Sequence, residues 1–184
     1  MTQFPLHTLE SAPEAAAPTL KATQQAFGFI PNLMGIMASS PALAEAYMSL
    51  SSLFEKTDLD TTEKQIVLLT VSHYHACHYC MAAHSAISAM QKVPANVVEA
   101  IRNNQPIADS KLQALRVLVH SMVDNRGFPD EAVVQNFLDA GYKPAHMMDI
   151  LVGVAQKTLS NFTNHIAGTP LDEAFEQFSW QPEQ

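Results

Sequence analysis

Both cysteines of the chain fall in one short stretch that also holds four of its eight histidines. It reads His73-Tyr74-His75-Ala76-Cys77-His78-Tyr79-Cys80-Met81-Ala82-Ala83-His84. As chemistry this is Cys-x-x-Cys-x-x-x-His, a dithiol with an imidazole one helical turn beyond its second sulfur. Residues three and four apart on a helix are neighbours, so Cys77, Cys80 and His84 share a face. In mid-helix such Cβ atoms lie roughly 5–6 Å apart, whereas a disulfide wants about 3.5–4.5 Å. The pair closes more easily in a first turn, where the backbone still adjusts. Free N–H groups and the helix dipole there also favour the thiolate. A helix that begins near Cys77 therefore makes this motif a redox dithiol.

Two other readings use the same residues. The cysteines could serve as small buried hydrophobes, although that leaves their spacing unexplained. His73, Cys77, Cys80 and His84 also follow H-x3-C-x2-C-x3-H, and Zn²⁺ accepts such ligands. On one continuous helix those four positions spread over about 16 Å at 1.5 Å per residue, too far for one tetrahedral ion. Zinc on two or three of them, in a metal-binding or redox-sensing module without turnover, is the alternative to dithiol chemistry. No metal or cofactor is expected.

Composition sets the frame. With 184 residues, 47% of them hydrophobic, the chain is long enough for one domain with a substantial core. The net charge is −8, and the ten Lys and Arg form no cluster. Nucleic acid and anionic membrane are therefore not expected partners. Residues 1–20 show neither a basic region nor an apolar run of signal type. The apolar run Ile66-Val67-Leu68-Leu69 is far too short to span a bilayer. A cytoplasmic chain is expected, in which CxxC reads as redox or metal chemistry and not as a structural disulfide.

The elements that must position the motif read as helices throughout. Residues 1–12 suggest a loose arm, and Pro13 to Phe27 a first helix ended by Gly28. Phe29-Ile30-Pro31-Asn32-Leu33 reads as an extended connector, since Pro31 disfavours helix at Ile30. Pro41 starts a helix carrying Leu43, Tyr47, Leu50 and Phe54 at helical spacing. Asp60-Thr61-Thr62-Glu63 has capping-box form and opens a helix apolar on every side from Ile66 to Val71. Such a helix belongs in the middle of a fold, yet no Gly, Pro or Asn marks its end before the dithiol. Beyond it, Pro94 begins a short segment, and Leu112, Leu115, Val119 and Met122 form a stripe closed by Gly127. Pro129 opens a helix stopped by Gly141. Pro144 starts the longest helix, with Met148, Leu151, Ala155, Leu159, Phe162 and Ile166 on one face. Its other edge carries Gln156, Ser160 and Asn164, flanked by Asn161 and His165, readable as a solvated face or as a polar wall of a site. After Gly168 a short helix is expected to end near Trp180. Period-two alternation is lacking. The expected fold is all-α, a single domain over 1–184 with about eight or nine helices.

Glu63-Lys64-Gln65-Ile66-Val67-Leu68-Leu69-Thr70-Val71-Ser72 followed by Cys77-His78-Tyr79-Cys80-Met81-Ala82-Ala83-His84-Ser85 resembles the carboxymuconolactone decarboxylase/alkylhydroperoxidase D-like superfamily. Gly28-Phe29-Ile30-Pro31-Asn32-Leu33 is similar to that family's lead-in. Lys157-Thr158-Leu159-Ser160-Asn161-Phe162-Thr163-Asn164-His165 is similar to the closing helix of its peroxidase-related branch. The resemblance implies an alkylhydroperoxidase D-like bundle assembled as a trimer or hexamer. It also implies a thiol-dependent hydroperoxidase, or dithiol–disulfide oxidoreductase, in antioxidant defence. The partners would be a small hydroperoxide and an external thiol or dithiol reductant. The decarboxylase branch generally lacks CxxC, so Cys77 and Cys80 place the chain on the redox side, with a carboxymuconolactone decarboxylase-like enzyme as the third reading.

The candidate catalytic residues are Cys77, Cys80, His84 and Glu63. Cys80, with His84 one turn on, reads as the attacking thiolate and Cys77 as the resolving thiol, the reverse assignment staying open. In the resemblance a Glu on the preceding helix moves protons together with the His. The family's usual relay position, twelve residues before the first Cys, is Gln65 here. Glu63 takes the relay role in its stead, or merely closes the capping box. The family's Asn-Gly before the first Cys is His75-Ala76, and its His before the second Cys is Tyr79.

Overall fold

The computed structural model describes residues 4–182. Among the described residues there are nine α-helices and no strand. They are α1 (Ala17–Phe27), α2 (Asn32–Met37), α3 (Pro41–Glu55), α4 (Thr61–Tyr74), α5 (His78–Met90), α6 (Ala95–Arg102), α7 (Ser110–Asp124), α8 (Glu131–Asp139) and α9 (Pro144–Ala167). Short 3-10 turns precede α1 (Glu14–Ala16) and follow α9 (Glu173–Phe178). The chain is all-α, as its pattern implies.

The all-apolar helix is the centre of the bundle. From Glu63 to Ser72 every residue of α4 is buried, and α5, α6, α7 and α9 pack around it. Its start is the complete capping box: Glu63 N–H donates to Asp60 at 2.8 Å, and Asp60 N–H to Glu63 at 2.9 Å. Its core partners Leu115, Leu118, Val119, Phe137 and Ile150 form one cluster with Ile66, Val67 and Leu69. A second cluster joins α1, α2 and α3 to α5 through Leu20, Leu33, Met34, Met37 and Ala44, and it contains both cysteines.

The end of α4, unmarked in the sequence, is a Schellman closure built without glycine. Ala76 takes the left-handed conformation at φ 51°. Cys77 N–H reaches back to Ser72 O at 2.9 Å and Ala76 N–H to His73 O at 2.9 Å. The reversal hands the chain directly to α5, with Cys77 as its N-cap. Lys92, Asn104 and Arg126 occupy the left-handed region after α5, α6 and α7.

The connector before α3 is shorter than expected, because Asn32 and Leu33 already belong to α2. Pro31 does keep Ile30 out of helix, but α2 begins at once after it. Asn32 N–H donates to the Asp172 carboxylate at 3.0 and 3.3 Å, a partner 140 residues away that no local pattern reveals. Of the arm over residues 1–12, residues 1–3 lie outside the described residues. Further along it, His7 N–H donates to Gly35 O at 3.3 Å, and a side chain at Gly35 would press on that His7 backbone.

The apolar stripe of α9 faces outward. Met148, Leu151, Phe162 and Ile166 are exposed. The buried face is Ile150, Gly153, Gln156, Lys157, Ser160, Asn161 and Asn164. Of the two readings of the polar edge, a solvated face or a polar wall, the structure has the inward wall, His165 alone staying exposed.

Candidate active site

Cys77 and Cys80 are free thiols, each about 1% exposed. The N-cap and third-residue positions of α5 set them in the first turn, where unpaired amides and the helix dipole favour a thiolate. One side chain of α9 reaches both. Asn164 Nδ2 lies 3.2 Å from Cys80 Sγ and 3.7 Å from Cys77 Sγ. Ser160 Oγ is 3.8 Å from Cys80 Sγ. Lys157, one turn before Ser160, is buried to 1% exposure, its charged end beside Cys80. Positions 157, 160, 161 and 164 form one helical face, and that face is the wall above the sulfurs.

Cys80 is the more acidic of the two. Burial pushes its thiol up, but a hydrogen bond from Cys77, the Lys157 charge, Ser160 and Asn161 together hold it well below the usual thiol range. The hydrogen bond to Cys80 and then burial push Cys77 far up. Of the two sulfurs, Cys80 is thus the one whose surroundings favour the thiolate, with Cys77 placed as its hydrogen-bond donor. Burial opposes the charge on Lys157, but the Cys80, Tyr47 and Cys77 groups outweigh it and keep the ammonium.

His84 sits on the same helix, 6% exposed, and hydrogen-bonds through Nδ1 to Gln65 Oε1 at 3.0 Å. Gln65 Nε2 in turn donates to Gln91 at 2.9 Å. Burial first, and the Lys157 charge second, hold the imidazole well below the ordinary histidine range. The cation beside Cys80 is therefore Lys157 and not an imidazolium at His84. Glu63, the fourth residue singled out, is not brought to this group. Its carboxylate completes the cap at Asp60 and pairs with Lys111 at 2.9 Å. The position that faces His84 from α4 is Gln65.

A cavity of about 160 Å³ opens on Cys80 but not on Cys77. Leu33, Met34, Met48, Tyr79, Ile87 and Phe175 supply much of its apolar wall. Gln65, His84, Gln156 and Lys157 are polar members, and the amide oxygen of Gln156 is buried without a partner. Tyr79 is pinned by its hydroxyl, which donates to Asp172 at 2.5 Å and accepts from Leu33 N–H at 3.4 Å. The remaining histidines of the motif point elsewhere. His78 bonds Trp180 O at 3.1 Å, His73 lies against the Trp180 ring, and His75 bonds Asn161 at 2.9 Å. Among the described residues no three His, Cys, Asp or Glu side chains converge to hold a metal ion.

Sequence reasoning named both sulfurs and His84, but gave Lys157 no role. The available signal was the inward-capable polar run Lys157, Ser160, Asn161, Asn164 at helical spacing in an otherwise apolar helix.

Residues 41–119 match the model of the carboxymuconolactone decarboxylase family. No curated protein matches the sequence. Several solved structures share the fold. An uncharacterized peroxidase-related protein of Ralstonia eutropha JMP134, described as an alkylhydroperoxidase AhpD core, superposes with a TM-score of 0.79 at 20% identity, covering 94% of this chain and 93% of that one. A variant of the debrominase Bmp8 in complex with 2,3,4-tribromopyrrole gives 0.79 at 18% identity, with 97% and 95% covered. An uncharacterized peroxidase-related protein from Silicibacter sp. TM1040 gives 0.75 at 17% identity, with 96% and 94% covered. The fold is that of the AhpD-like proteins, and the segment that carries α3 to α5 and both cysteines is the part similar to the carboxymuconolactone decarboxylase family.

Proposed function

We propose that this protein is a dithiol-dependent hydroperoxidase. One observation carries the reading: of two buried thiols that share the Asn164 amide, only Cys80 faces the cavity. The Cys80 thiolate attacks the terminal oxygen of a hydroperoxide, forming a sulfenic acid and releasing an alcohol. Cys77 then condenses with the sulfenic acid, forming the disulfide and water. An external thiol or dithiol reduces that disulfide and restores both thiols. The site's size supports a compact substrate, since a cavity of about 150 Å³ accommodates benzene.

The test is mass analysis after one equivalent of an alkyl hydroperoxide. The expected product is the monomeric chain lighter by two hydrogens. Cys77→Ser should stop at the sulfenic acid on Cys80, and Cys80→Ser should consume no peroxide. Sulfonic acids on both cysteines, or disulfides only between chains, would count against the reading.

A second reading has its own support in the apolar lining around Cys80 and in the shared fold of the debrominase Bmp8. There the dithiol would supply two electrons and a proton to replace a carbon–bromine bond by carbon–hydrogen, releasing bromide. Bromide release from a brominated pyrrole without peroxide turnover would favour it.

A further inference from the structure

Breaking the O–O bond of an alkyl hydroperoxide at Cys80 releases an alkoxide into a buried space, and that anion needs a proton. The resemblance supplies one through a carboxylate twelve residues before the first cysteine. That position is Gln65, whose amide oxygen accepts from His84 at 3.0 Å and whose amide nitrogen is spent on Gln91. Among the described residues no carboxylate hydrogen-bonds to His84, whose ring partner is the Gln65 amide. Glu63 is engaged at the cap and with Lys111. The only acidic side chain lining the cavity among the described residues is Glu55, exposed and 3.9 Å from Lys64.

Lys157 has the properties that His84 lacks. It lines the cavity beside Cys80 at 1% exposure. Among the described residues no carboxylate lies within ion-pair distance of it. A buried ammonium without a counter-ion is costly, and the groups around it are the thiols of Cys80 and Cys77, the Tyr47 hydroxyl and the neutral His84 ring. Its natural counter-ion is the thiolate.

We infer that Lys157 is the general acid of this site: its ammonium holds Cys80 as the thiolate and delivers a proton to the oxygen leaving from it. This rests on the hydroperoxidase reading above. In the first step the O–O bond breaks as the S–O bond forms, sulfur loses two electrons, and the alkoxide takes its proton from Lys157. The products are Cys80 sulfenic acid, an alcohol and a neutral lysine. Cys77 then closes the disulfide, its proton leaving with the hydroxide as water. Reduction by the external dithiol returns two protons to the pair, and the Cys80 proton passes to the lysine.

Two substitutions separate the halves of the role. Lys157→Met keeps the stem and removes the charge, a change that buried cations often tolerate in folding. In a Cys77→Ser background, the thiolate absorbance of Cys80 against pH should then move up towards the free-thiol midpoint of about 8.5. An unchanged titration overturns the inference, whatever the protein's activity. Lys157→Arg keeps a cation that gives up no proton near neutrality. It should retain the thiolate yet lose about 100-fold in turnover of an alkyl hydroperoxide, the low end of general acid catalysis. With a peracid, whose carboxylate leaving group needs no proton, the same variant should run within about threefold of the parent. A steric defect would slow both substrates equally, and that outcome overturns the acid role. A parent protein that consumes neither peroxide overturns the hydroperoxidase reading and the acid role together, while the titration still decides whether Lys157 ionises Cys80.

Discussion

A histidine buried beside an ammonium refuses a proton that the unfolded chain accepts. His84 is such a residue, pushed down by burial and by Lys157. Unfolded, it titrates near 6.5. Between that value and its lower folded value the unfolded state binds more protons, so stability rises with pH and falls on acidification. The slope from one such group is at most about 1.4 kcal/mol per pH unit. Urea midpoints between about pH 5 and pH 6.5 should therefore fall less steeply in His84→Gln than in the parent. Parallel curves would show that His84 takes up its proton in the native protein as readily as in the unfolded chain. At this scale the sequence yielded what lies close along the chain. Cys77, Cys80 and His84 are a single motif, and helical spacing alone put them together. Lys157 and Asn164 come from a helix about eighty residues later. Their spacing marks them as one face, but nothing local tells whether that face turns to water or to the sulfurs. Glu63 shows the opposite case, a carboxylate close in sequence that its cap and Lys111 hold away from the sulfurs.

Helices were legible from periodicity, and their ends far less so. The closure after α4 uses Ala76 where a glycine would have announced it, and α2 starts on a carboxylate contributed by Asp172. The crossing that sets the site is also hidden. At Gly153, α9 meets α3 and α4 so closely that a Cβ would stand 2.8 Å from both Phe54 Cζ and Val67 Cγ1. Both neighbours are fully buried and have little room to yield. The same register carries Lys157 one turn further on and Ser160 and Asn164 beyond it. Gly153→Ala would gain about 1 kcal/mol of helix propensity, whereas overpacking a filled core costs typically 1–3 kcal/mol. The overlap with two rigid neighbours decides in favour of the cost. Gly153→Ala is expected to lose about 1–2 kcal/mol in urea unfolding, and to weaken the Cys80 thiolate by moving Lys157. A stabilised variant with an unaltered thiol titration would show that this crossing does not set the site.

At the scale of the molecule, the outward stripe of α9 is what one chain leaves unfinished. Met148, Leu151, Phe162 and Ile166 are 60%, 42%, 49% and 67% exposed. From Met148 to Ile166 they extend about 27 Å along the helix at 1.5 Å per residue. Ala155 is exposed on the same line, and Leu159 between it and Phe162 is half-buried against the cluster that holds the cysteines, so the outward apolar surface gathers at the two ends of the stripe. Contiguous apolar patches beyond a few hundred Å² mark contact surfaces on soluble proteins. The spacing that suggested a core face was correct about the face and silent about what covers it, because a subunit interface leaves the same pattern as a core. The resemblance implies three or six copies. Phe162 also lies against His75, which bonds Asn161 on the wall above the sulfurs, so a neighbour seated there would close that side of the site. Light scattering at micromolar concentration is expected to give a multiple of the 20.1 kDa chain. Phe162→Glu combined with Ile166→Glu places two charges on the stripe without touching the buried face. That variant should scatter as a single chain with its helical circular dichroism intact. A parent protein that is already monomeric under those conditions, or a doubly charged variant of unchanged mass, would remove α9 as the assembly face.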